Sequence, residues 1–381
     1  MKKIVFFSIL IAGFIHPQDT TNLPAYFYKR LEGKINDSIN IQMNFIRMDS
    51  LLNGNYFYDE KGEPIYFDYN SYLTDNSKIH IEGEAYDDKY NSIVSGTFDG
   101  KFVPDNKIEG EWRNGDPSKV YNFYLRENYP AGSAKFKIEH LSRYYGKPDS
   151  NNFAVTVELS YPVMFDYPDT NVEAKINSYI TNFYLSDFSE GENVYPNFET
   201  RIDSFVEEYQ QDIEADSELF KDYKPFYENY EYTDIVFNSD NMLSLEINEY
   251  LFTGGAHGNS NYSLSSFNLQ TGKQIKLDDM FYGDYRKRLN EVGEKIFRKN
   301  FKADSTLSLY NQGFFGFENG FELNDNFDLY KGGIKFQFNP YEAGAYVLGA
   351  PEVFIPFSEI KDFIRNDSIV WKLLSKDVQS R

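Results

Sequence analysis

Thr170-Asn171-Val172-Glu173-Ala174-Lys175-Ile176-Asn177-Ser178-Tyr179-Ile180-Thr181-Asn182-Phe183 is the first stretch of this chain with a convincing helical period. Val172, Ile176, Tyr179, Ile180 and Phe183 fall on one helix face, and Thr170-x-x-Glu173 has the form of a capping box. Before it, apolar residues recur with a period of two. The chain therefore divides into a β-only first part and a mixed second part.

From about Tyr26 to Glu127 short alternating segments are punctuated by Gly and Asp. Ile39, Ile41, Met43 and Phe45 alternate with polar neighbours, Tyr56 and Tyr58 lead into Asp59-Glu60-Lys61-Gly62, and Ile79 and Ile81 precede Gly83. Residues 26–128 read as an all-β domain, a barrel or a sandwich. Glycine recurs beside an aromatic in Thr97-Phe98-Asp99-Gly100 and Glu109-Gly110-Glu111-Trp112, at a spacing too irregular for a repeat. Tyr129-Pro130-Ala131-Gly132-Ser133 is the expected linker.

Downstream of Phe183 a second amphipathic helix carries Phe198, Ile202, Phe205, Val206, Tyr209 and Ile213, with Glu207, Glu208 and Asp212 on a wet face. Strands then return around Ile235, Leu243 to Ile247 and Tyr262 to Leu277. A third helix aligns Tyr285, Leu289, Val292 and Ile296, and strands around Ile334 to Phe338 and Val353 to Phe357 follow. Strands come in runs, so residues 131–375 are expected to form an α+β domain, an antiparallel sheet packed with amphipathic helices.

A length of 381 residues favours two domains, and 41% apolar with 18% aromatic residues supplies material for their cores. Fifty-nine acids against 38 bases give a formal charge of −21, which repels phosphodiester backbones and excludes nucleic acid as an expected partner. With no cysteine there are no disulfides, thiolate metal sites, cysteine nucleophiles or lipid-modified cysteine. Met1-Lys2-Lys3 followed by the apolar run Ile4 to Ile15 reads as a secretory signal ending by residue 18. No other stretch approaches transmembrane length. The mature chain is expected outside the cytoplasm, periplasmic or extracellular.

The most unusual segment is Tyr250-Leu251-Phe252-Thr253-Gly254-Gly255-Ala256-His257-Gly258. Gly254, Gly255 and Gly258 imply positive φ or a close backbone approach and hold His257 on a tight turn. The imidazole is a candidate ligand contact or acid–base group, or else is simply hydrogen-bonded to a neighbouring carbonyl. Asn339-Pro340-Tyr341-Glu342, with Tyr346 just beyond, breaks the chain after a strand. Tyr341 and Tyr346 are candidates for a binding lip beside the glycine-rich turn, or packed connection residues.

Thr253 to Gly258, Phe267-Asn268-Leu269-Gln270-Thr271-Gly272-Lys273, Leu277-Asp278-Asp279-Met280-Phe281 and Gly333 to Glu342 occur in an order that resembles the PdaC/RsiV-like superfamily. The resemblance covers roughly Ala131 to Lys372. It implies an extracytoplasmic recognition module that occurs alone, at the outer end of a lysozyme-sensing anti-sigma factor, or ahead of a peptidoglycan deacetylase domain. This chain shows neither a sigma-binding segment nor that deacetylase domain.

Reactive chemistry finds little footing. Thr97-Phe98-Asp99-Gly100 lacks the second aspartate of the deacetylase metal motif, and His16, His80, His140 and His257 have no zinc spacing. Asn324-Asp325-Asn326-Phe327-Asp328 is only loosely like a calcium loop and reads as solvated. No cofactor or metal is expected. The expected function is binding or sensing, without catalysis, of a cell-wall glycan or a cationic, lysozyme-like protein. The alternative is a cell-wall hydrolase or deacetylase using His257.

Overall fold

A computed structural model describes residues 23–74, 77–86, 92–114, 118–146, 154–186, 195–215 and 225–379. The signal segment read at 1–18 lies outside the described residues.

Nine strands make the first sheet: β1 (Tyr26–Ile35), β2 (Ile39–Met48), β3 (Leu51–Tyr58), β4 (Ile65–Tyr66), β5 (Tyr72–Thr74), β6 (Lys78–Tyr86), β7 (Ser92–Val103), β8 (Lys107–Asn114) and β9 (Val120–Glu127). Their order is β2-β1-β9-β8-β7-β6-β5-β3-β4, and β2 also pairs with β3, so eight strands close into an antiparallel barrel with β4 hung on β3. Closure leaves no long unpaired edge among the described residues. Leu31, Met43, Phe45, Tyr56, Ile81, Phe98, Ile108 and Leu125 fill the interior. The glycine–aromatic recurrence is a device of this wall. Phe98 sits opposite Trp112 and Gly100 opposite Gly110, where a Cβ on Gly110 would lie 2.0 Å from the Asp99 carbonyl oxygen.

The second sheet runs in chain order: β10 (Lys135–Tyr145), β11 (Val155–Phe165), β12 (Tyr227–Ser239), β13 (Met242–Phe252), β14 (Asn259–Asn268) and β15 (Lys273–Gln274). Every neighbour pair is antiparallel except β11 and β12, which run parallel. A parallel pair needs a long crossover, and here α1 (Thr170–Leu185) and α2 (Phe198–Ala215) supply it. Val172, Ile176, Ile180 and Tyr184 of α1 pack with Val157, Leu159 and Leu245 of the sheet. The cap of α1 falls one residue earlier than the sequence suggests. Asp169 accepts from the backbone N–H groups of Asn171 and Val172, while Glu173 reaches back to the N–H of Tyr167. Asp and Thr both cap well, and the hydrophobic period alone does not choose between adjacent ones.

After α3 (Leu277–Met280) and α4 (Tyr285–Asn300) comes a separate antiparallel sheet of β16 (Phe327–Leu329), β17 (Gly333–Gln337) and β18 (Glu352–Pro356), then α5 (Phe357–Ile360) and α6 (Ile369–Gln379). Ile334 and Phe336 join Leu289 and Phe297 in one core. Alternation sends Lys335 and Gln337 the other way, although both are buried too.

The barrel sits on the second sheet through buried polar contacts. A bulge between Ile235 and Phe237 takes the Val236 carbonyl out of the ladder, and Asn44 and Asn55 of the barrel each donate to it at 2.9 Å. Arg30, 2% exposed, donates to the carbonyls of Asn238 and Asn128 and to Gln42. Replacing Asn55 with alanine removes one of the two donors to Val236 and one of the two acceptors of the Asn44 amide, which keeps its bond to Val236. A loss of about 1–3 kcal/mol is expected in urea titration, and unchanged stability would mean that water replaces the cap.

Candidate functional site

The glycine-rich turn joins β13 to β14. Gly254 and Gly255 have φ of 96° and 95°, values a side chain would strain. Gly258 is required for a different reason, because a Cβ there would fall 2.4 Å from the Tyr250 ring. The exposed His257 that follows the first two glycines stacks on Tyr346, with ring centroids 3.9 Å apart and planes inclined by 16°. The Gly258 carbonyl accepts from His257 Nδ1 at 2.8 Å and from the Tyr346 hydroxyl at 2.9 Å, so one oxygen orients both rings. A carbonyl can only accept, so that bond requires a proton on Nδ1. Tyr341, half exposed and at φ 74°, lies 5.5 Å from Tyr346. The structure thus brings His257, Tyr341 and Tyr346 together around the turn formed by Gly254, Gly255 and Gly258.

A second concavity went unread in the sequence. It lies between the barrel and the two later sheets, with a volume of about 960 Å³, and draws on Asn53 and Tyr66, on Tyr232 and Asp234, on Glu246 and Asn248, on Tyr262, and on Lys335 and Glu352. Asp234 of β12 is in register with Glu246 of β13. Lys335 Nζ donates to Glu246 at 2.7 Å and to the Tyr66 hydroxyl at 2.6 Å, and Glu352 lies 3.7 Å from the same nitrogen. Burial pulls the Lys335 ammonium down, but Glu246 first, then Tyr330 and Glu352, more than offset it, so it stays well above the ordinary lysine value. Asp234 receives hydrogen bonds from Asn53 at 2.7 and 3.0 Å and from Asn248 at 3.4 Å. Burial, reinforced by Glu246, pushes its carboxyl up to about 8. Asp328, in register with Lys335, is held well above the carboxylate range by burial. It is buried in β16, and its run is no solvated loop: Asn326 bonds to the main chain of Tyr262 and Leu264.

The remaining sequence candidates are structural. Asp99 of Thr97–Gly100 sits in the barrel wall, where it accepts from His80 at 2.7 Å and from Arg113. His140 stacks on Tyr26 and bonds to Ser160. Among the described residues no group of three or more His, Asp or Glu is placed to hold a metal ion.

Two family models match the chain. Residues 149–260 match the one described as "Deacetylase PdaC" and residues 278–358 the one described as "Protein of unknown function (DUF3298)". The second part of the chain is PdaC/RsiV-like. Among solved structures, a DUF3298 family member from Bacteroides fragilis is similar with a TM-score of 0.53 and 21% identity, covering 64% of this chain and 99% of that one, which shows a shared fold. A DUF3298 family protein from Pseudomonas aeruginosa has a TM-score of 0.45 at 16% identity, with 62% and 97% covered. No curated protein matches. The two family matches indicate a protein associated with the cell envelope.

Within the PdaC/RsiV-like part, Asp234, Glu246 and the glycine turn fall in the first matched segment, and Lys335, Tyr341 and Tyr346 in the second. Asn53 and Tyr66 belong to the barrel, outside both. Among the described residues no helix is long and apolar enough to cross a membrane.

Proposed function

We propose that this chain is an exported, non-catalytic binding protein of the cell envelope that holds a cell-wall glycan at the His257 corner. The observation that carries the reading is the tethered stack of His257 on Tyr346 with Tyr341 beside it. Aromatic rings whose polar ends are fixed present flat apolar faces beside hydrogen-bonding groups. Sugar rings offer the complement, a face of C–H groups edged by hydroxyls. The positive-φ glycines bring backbone close to such a ligand without side chains in the way. The imidazole's partners, a main-chain carbonyl and a phenol ring, orient a contact residue and supply neither a nucleophile nor a carboxylate for hydrolysis or deacetylation.

Co-sedimentation with insoluble peptidoglycan tests this. Wild-type protein is expected to pellet at low and at moderate salt, with Tyr346→Ala weakening retention about tenfold or more, in the range of a binding hot spot. No released fragments or acetate are expected. Protein that stays in the supernatant at every salt concentration overturns the glycan reading, and fragment release abolished by His257→Ala would establish the hydrolytic one. The charge of −21 favours a second reading, a cationic, lysozyme-like protein as partner. Retention of lysozyme that fades steeply between low and moderate salt would support it.

A further inference from the structure

We propose that the cleft between barrel and sheets is a second binding site, independent of the His257 corner, and that it takes a saccharide bearing a protonated amine. The first argument is shape and lining. About 960 Å³ is the size of a small-molecule site, and this one combines tyrosine rings with side-chain amides and carboxyls, the groups that meet sugar faces and sugar hydroxyls.

The second argument is charge. Five carboxyl residues line the cleft, Glu63, Glu84, Asp234, Glu246 and Glu352, against Lys299, Lys302 and Lys335. Lys335 is committed to Glu246 at 2.7 Å, with Glu352 at 3.7 Å from the same nitrogen. Asp234 is 8% exposed and meets only the amide donors of Asn53 and Asn248 among the hydrogen bonds of the described residues. The charged groups acting on it are Glu246 from β13 and Lys335 from β17, and Glu246 outweighs the lysine. Burial first and Glu246 second push its carboxyl up to about 8, and no cationic side chain bonds to it among the described residues. An ammonium entering the cleft beside Asp234 would provide a cation, and the proton would leave to solvent.

The third argument is assembly. Tyr66 and Asn53 come from the barrel and Asp234 and Glu246 from the second sheet, with Asn44, Asn55 and Arg30 locking the two parts together around Val236 and Asn238. The site exists only where the barrel and the PdaC/RsiV-like part occur together.

Calorimetry with the β-1,4-linked disaccharide of glucosamine, and with its N-acetylated counterpart, tests the inference on the full mature chain. At pH 6 the amino form is expected to bind at least tenfold more tightly than the acetylated form. It should also release close to one proton per site, read from the difference between two buffers of unlike ionisation heat. Asp234→Asn keeps the shape of the neutral carboxyl and should fold. It is expected to erase both the preference and the proton release, while Glu246→Gln, which leaves Lys335 with Tyr66 and Glu352, is expected to keep the proton release at Asp234. Equal affinity for the two sugars, no heat with either, or an amine preference that survives in Asp234→Asn and fades with salt overturns the proposal. A chain that pellets with peptidoglycan yet gives no heat with the amino disaccharide loses this site and keeps the corner.

Discussion

Lys335→Met is expected to cost the folded chain about 3–5 kcal/mol at neutral pH, the range for breaking one side of a buried ion pair. Lys335 and Glu246 are 2% and 7% exposed, and the lysine nitrogen also donates to Tyr66, whose hydroxyl lies 2.5 Å from that of Tyr330. Removing the ammonium strands a carboxylate under the barrel with the Tyr66 hydroxyl, 3.3 Å away, as its remaining donor. Pairing the change with Glu246→Gln removes the stranded charge, so much of the loss should return. The double-mutant cycle in urea then shows a coupling of about 1–3 kcal/mol. The pH dependence has a definite sign. Acid removes the charge of a buried carboxylate left without its ammonium, so the deficit is expected to be smaller in acid than at neutral pH. A deficit that is flat with pH and unrelieved in the double variant would show that the methionine merely packs badly.

The sequence showed this fold class because its signals are local. Alternation in β2 and β13, the glycines of β7 and β8 and the helical faces of α1, α2 and α4 each reflect contacts a residue makes within its own element or with the next one. The turn with His257 was legible for the same reason, since Gly254 and Gly255 declare positive φ on their own. The pairing of His257 with Tyr346 spans 89 positions and was reached through the glycine-rich turn and the chain break at Pro340, two local oddities. The cleft had no such marker. Glu246 and Asn248 alternate with Leu245 and Ile247 and read as the wet side of a strand, yet that side is roofed by Tyr66, 180 positions away, and by Lys335, 89 away. A polar face under a roof and a polar face in water have the same period. The available hint was charge type: an acid in each of two adjoining strands, Asp234 and Glu246, around a short turn that forces register. Like charges placed opposite each other in a sheet destabilise it unless one is neutralised.

The same pair yields the second large effect. Asp234→Asn is expected to make the chain more stable than wild type at pH 8, by an amount on the order of a few kcal/mol. In the folded wild type the Asp234 carboxyl is pushed up to about 8 from an ordinary value of 3.8, by burial first and Glu246 second. Between about pH 4 and pH 8 the folded chain therefore holds a proton that the unfolded chain has released. A raised folded value means that the contribution is fully present below the unfolded value and is lost as pH rises toward the folded one. The slope approaches ~1.4 kcal/mol per pH unit in mid-window. Asparagine has no proton to take up, and its oxygen can still accept from Asn53. Stability measured in urea at successive pH values should thus fall less steeply for the variant, by nearly one proton between pH 5 and pH 7. Parallel pH profiles for the two proteins would place the Asp234 carboxylate in its charged form throughout and remove the reason for expecting a cation in the cleft.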